Sequence, residues 1–171
     1  MSVVSETFLL TTHTVRDLED LVAHPEKYLL SIWRELRRCA DIWRDRATRH
    51  PFGGEGVVSL RYDGRELIRP DLWDDTSGIW RALVDAVEGF LAAGVGSAWF
   101  PGQPVPVRLE RKGRDGAMLT IGEDRFFVDP QALVPGVLDE AEQYFLWVQE
   151  YVGSNESDAL DQIRRLRGES V

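Results

Sequence analysis

Three short turns decide what this chain can build. Asp63-Gly64, the run "KGRDG" at 112–116 and "GED" at 122–124 each separate two short extended runs. Asp-Gly supplies the positive φ angles of a two-residue hairpin turn. Connections this short leave no room for a crossover helix, so the strands they join must run antiparallel. The sequence therefore predicts a hairpin over 57–70, with Val58, Leu60 and Tyr62 on one face, and a three-strand meander over 104–111, 117–121 and 125–128. The run "ETFLLTTHT" at 6–14 is a further extended segment.

Helical spacing fills much of the remainder. Thr14 is placed as the N-cap of a short helix reaching Ala23. Pro25 opens a second helix expected to run to Thr48, with Leu29, Ile32, Trp33, Leu36, Ala40 and Trp43 forming one apolar stripe. A third helix over 79–94 carries Ile79, Trp80, Leu83, Val87 and Phe90, is capped by Asp75 or Thr76, and is stopped by Gly94. Asp129 and Pro130 start a fourth, which Pro135 is expected to split, leaving a main body over 135–152. The fold class is α+β: one domain over 1–153, helices packed on one face of an antiparallel sheet, followed by a linker and weak terminal helix over 154–171.

The segment 98–112, "AWFPGQPVPVRLERK", joins these two periodicities. Pro104 and Pro106 have no N–H to donate, which confines them to a sheet edge or a strand start. Val105, Val107 and Leu109 then point inward, and Arg108 and Glu110 outward, with backbone groups open to a partner. Phe100 is assigned to structure. Trp99 is open between core and surface, and so is Trp73, which sits among the acids of "PDLWDDTSG". Trp33, Trp43 and Trp80 belong to helix stripes, and Trp147 is placed half-exposed beside one.

Composition removes several function classes. The net charge is −9 and the pI near 4.8, the opposite balance from a general phosphate binder. Nucleic acid is therefore not an expected partner, and a basic protein is. The first residues lack the basic start of a signal peptide, and no apolar run approaches the roughly 20 residues that span a bilayer. One cysteine, Cys39, excludes an internal disulfide and fits a reducing, cytoplasmic setting.

Catalytic patterns are missing as well. His13, His24 and His50 have no metal-ligand spacing, no serine lies in GxSxG, and the glycines of "FGGEG" and "GVGSAWFPG" follow helices rather than preceding them. No cofactor or metal is expected. Asp71, Asp74 and Asp75 could hold a cation, but acids ahead of a helix are better explained by its dipole and its cap. The candidate partner-binding residues are Asp71, Trp73, Asp74, Trp99, Arg108 and Glu110.

Small size, negative charge, a lone cysteine, tryptophans in loops and the missing catalytic constellation together resemble the small acidic immunity and antitoxin-like proteins that bacteria pair with toxins. That resemblance implies a non-enzymatic protein-binding module that neutralises a partner through acidic and aromatic surface, and it carries over no individual residue. Two other readings stand beside it. One is an enzyme or small-molecule binder with a pocket near 71–77 and 99–103; the other is an acidic chaperone for a secreted protein.

Overall fold

The computed structural model describes residues 2–169. In chain order these form β1 (Val3–Leu10), α1 (Leu18–Ala23), a 3-10 turn (Pro25–Lys27), β2 (Leu29–Ser31), α2 (Leu36–Ala47), β3 (Glu55–Tyr62), β4 (Arg65–Glu66) and β5 (Asp74–Asp75). There follow α3 (Thr76–Ala93), β6 (Val95–Trp99), β7 (Pro106–Lys112), β8 (Gly116–Ile121), β9 (Asp124–Val128), α4 (Pro130–Trp147), a π-turn (Val148–Val152) and α5 (Ser157–Glu169). The chain is α+β with antiparallel pairing throughout. Hairpin and meander are both present, but in separate sheets. The first runs β2-β1-β3-β4, with β5 also on β3; the second runs β6-β7-β8-β9.

The turn at 63–64 forms as its sequence requires, with Asp63 at φ 49° and Gly64 at φ 76°. Around it, β3 and β4 pair Tyr62 with Arg65. Helix α3 begins where Asp75 accepts a hydrogen bond from the Gly78 N–H at 2.9 Å and ends at left-handed Gly94. Helices α3 and α4 lie between the sheets. Leu60 of β3, Leu83 of α3, Val107 of β7, Leu119 of β8, and Leu133 and Val137 of α4 surround an internal void of only about 10 Å³. One core therefore serves both sheets.

Four local expectations are corrected. The helix predicted over 25–48 begins only at Leu36, because Leu29–Ser31 pairs with β1 through Phe8↔Ser31 and Leu10↔Leu29. Leucine and serine carry no strong veto on either conformation, and the unpaired edge of β1 decides in favour of a strand. The cap of α1 is Asp17, which accepts from the Asp20 N–H at 2.9 Å, and not Thr14. Pro135 does not split α4: the carbonyl it deprives of a helical donor is that of Gln131, which is exposed and free to meet water. Trp147 is buried, its indole N–H directed at the Leu36 carbonyl.

The largest correction concerns β6. The run "GVGSAWFPG" is not only a helix stop. Its residues 95–99 form a strand that pairs with β7 through Val95↔Glu110 and Trp99↔Pro106. Strand β7 is therefore interior; Pro106 marks its start, Pro104 precedes it, and neither is at a sheet edge. Glycine makes the arrangement possible. A Cβ on Gly96 would lie 2.0 Å from the Ala86 carbonyl oxygen of α3. The terminal helix α5 docks onto α3 and α4, contributing Ala159, Leu160, Ile163 and Leu166 to the core.

Candidate functional site

The acidic loop and the proline segment do meet, through bonds that use up their polar groups. Asp74 is 6% exposed. Its carboxylate accepts from the backbone N–H groups of Gly102 at 2.9 Å, Gln103 at 2.8 Å and Asp75 at 2.7 Å. The Gln103 side-chain amide in turn donates to the Trp73 carbonyl. Asp74 is thus a latch between β5 and the loop that follows β6, not a surface charge. Asp71 is half-buried and pairs with Arg69 at 3.1 Å, and Arg69 also reaches Asp124 at 3.2 Å. Trp73 is half-buried between these two anchors.

Asp75 and Tyr144 are buried polar groups next to that latch, at the start of α3. The Tyr144 hydroxyl lies 2.8 Å from Thr76 Oγ1 and 2.9 Å from Ser77 Oγ. Burial pushes the Asp75 carboxyl up to about 6, helped by the neighbouring charges of Asp74, Glu55 and Glu156; the Gly78 hydrogen bond opposes the shift. Burial likewise raises the Tyr144 phenol far above its ordinary range. Cys39 is buried against the Leu30 and Ser31 carbonyls, and desolvation lifts its thiol to about 11. It is therefore held as the neutral thiol at neutral pH.

The outward face of the second sheet is different. Strand register puts Val95, Glu110, Met118 and Phe127 in one row across it and Ser97, Arg108, Thr120 and Arg125 in the next, with Trp99 beside Pro106 in a third. Trp99 is 63% exposed and Phe127 64% exposed. Arg108 and Lys112 flank Glu110 at 3.5 and 3.1 Å, and Lys112 above all holds the Glu110 carboxyl below its usual range. This face therefore combines two large aromatics with a locally cationic stripe. Trp99, Arg108 and Glu110 share it; Asp71, Trp73 and Asp74 are elsewhere. The expectation that Arg108 and Glu110 leave backbone groups open is overturned, since both residues are paired on either side. Phe127 was missed. Adjacent Phe126 and Phe127 in a strand must face opposite ways, which was the available signal.

Two other features lay outside sequence reasoning. The His13 and His50 rings stack at 3.4 Å, with His13 Nδ1 3.1 Å from a Glu55 carboxylate oxygen. No group of three metal-ligating side chains occurs among the described residues. The outer face of the first sheet forms a groove of about 630 Å³, floored by β1 and β3 and bordered by the segments 25–35 and 66–70. No helix among the described residues is long and apolar enough to cross a membrane. Comparison with known proteins gives no matching family model, no matching curated sequence and no matching solved structure, so the class defined here is the α+β fold itself.

Proposed function

We propose that this chain is a non-enzymatic, cytoplasmic protein-binding module of the immunity type, docking a partner protein on the outer face of its second sheet. One observation carries the reading: Trp99 and Phe127 are each nearly two-thirds exposed on the same open sheet face. Large exposed aromatics on a firm scaffold are the side chains that anchor protein interfaces. The interior strand β7 keeps the platform rigid, and Arg108 and Glu110 supply a polar surround. The net charge of −9 steers a basic partner at long range, the cationic stripe at the face itself calls for an acidic patch where the partner docks, and the aromatic pair sets its hold.

The test begins with the product of the adjacent gene as candidate partner. Binding is measured with the wild-type chain and with Trp99→Ala and Phe127→Ala variants. Each replacement should leave the melting curve in place and weaken affinity by about 2 kcal/mol or more, roughly thirty-fold. A partner held with unchanged affinity by a stable double variant would remove this face from the function.

A further inference from the structure

The groove over the first sheet lies on a different sheet from the Trp99–Phe127 face and stands independently of it. At about 630 Å³ it is within the ~300–1,000 Å³ range of ligand sites. Its floor follows β1 from Val4 to Phe8, four residue steps, or about 13 Å along an extended strand. That shape suits an extended chain better than a compact molecule. The floor is partly apolar, with Phe8 half-buried and Val57 buried beside it.

The charges around this floor are unequal. Glu6, Glu26, Glu35 and Glu66 line the groove against Arg34 and Arg61. Arg34 is 3.8 Å from Glu6, and Arg61 stands opposite Glu66 in the strand register. Among the described residues, neither Glu35 nor Glu66 makes an ion pair. A second observation concerns Ser31. It is 7% exposed, lies on the groove side with Phe8 as its strand partner, and its Oγ makes no hydrogen bond. A buried hydroxyl without a partner leaves hydrogen-bonding capacity unmet in the groove wall.

We infer that this groove binds a basic, extended polypeptide segment of a partner, whose apolar side chains lie over Phe8 and Val57 while its cations meet Glu35 and Glu66. The occupant is a peptide and not a free polycation, because the apolar floor offers a polyamine little that water does not.

The experiment uses the full chain, uniformly ¹⁵N-labelled, titrated with a fluorescein-labelled Arg-Leu-Arg-Leu-Arg-Leu peptide. Amide shifts should gather on Ser31, Glu35, Ser59 and Glu66, and raising salt should weaken binding. Glu35→Gln with Glu66→Gln should weaken it about ten-fold without moving the melting curve, since both side chains are exposed and neither is paired. Shifts gathered on the second sheet, no saturable shifts at all, or unchanged affinity in the double variant would overturn the assignment. So would spermine giving the same shifts at equal affinity, because the site would then recognise charge alone.

Discussion

Asp74 shows how a residue chosen for one role turns out to serve another. An acid ahead of a helix and beside a tryptophan looked like surface charge. In the fold it accepts three backbone N–H groups, two of them from residues 28 and 29 positions away. Nothing local announces such a partner, so the role was not legible. Asp74→Ala should cost about 3 kcal/mol or more in stability, read as a shifted urea midpoint, because several charge-assisted bonds go at once. Asp75, by contrast, was readable as a cap, since it directly precedes an apolar period. Trp99 and Phe127 behave oppositely to Asp74, so Trp99→Ala should change stability by less than about 0.5 kcal/mol.

Elements were legible where turn chemistry or a long period marked them. The Asp63-Gly64 hairpin, the meander and α3 follow directly from the residues that bound them. Strands β2 and β6 were not legible, for a shared reason. Each is short, and each is held by long-range pairing that a window of neighbours does not contain. In β6 a physical clue was present all the same: Gly89 and Gly96 face one another, and a Cβ on Gly89 would come within 2.6 Å of the Gly96 Cα. Gly96→Ala should therefore force α3 and β6 apart and cost ~3 kcal/mol, visible as a lowered melting temperature with unchanged secondary structure in far-UV circular dichroism. In α5, Ile163→Ala should cost about 2–5 kcal/mol, as expected of a helix that is part of the core.

At the scale of the whole molecule, the two sheets share one set of buried side chains, and that sharing governs how the chain unfolds. Urea unfolding followed by tryptophan fluorescence and by circular dichroism should give one coincident transition. Two separated transitions would show that the sheets are independent. Stability should also depend on pH through Asp75. Its folded value is raised to about 6 from an ordinary 3.8, so the folded state holds the proton more tightly. The contribution is present in full below the unfolded value and is lost as pH rises through 6. The chain should accordingly be more stable at pH 5 than at pH 7.5, by at most about 1.4 kcal/mol, and Asp75→Asn should flatten that slope. Asp20, Glu88, Glu110 and Asp158 are held below their usual range, and the stability they add is lost only in more acidic solution.

The Asp74 latch has a consequence for the thermodynamics of recognition. Trp99 stands at the end of β6, and the loop that follows it is fastened at Gly102 and Gln103. A tryptophan on a loose loop must surrender conformational freedom when it docks, and that loss subtracts from affinity. Here the surrounding chain is immobilised during folding, so a complex formed at this face would carry a smaller entropic penalty. Cutting the latch while leaving the indole intact should show up calorimetrically as a less favourable binding entropy, although Asp74 itself is buried.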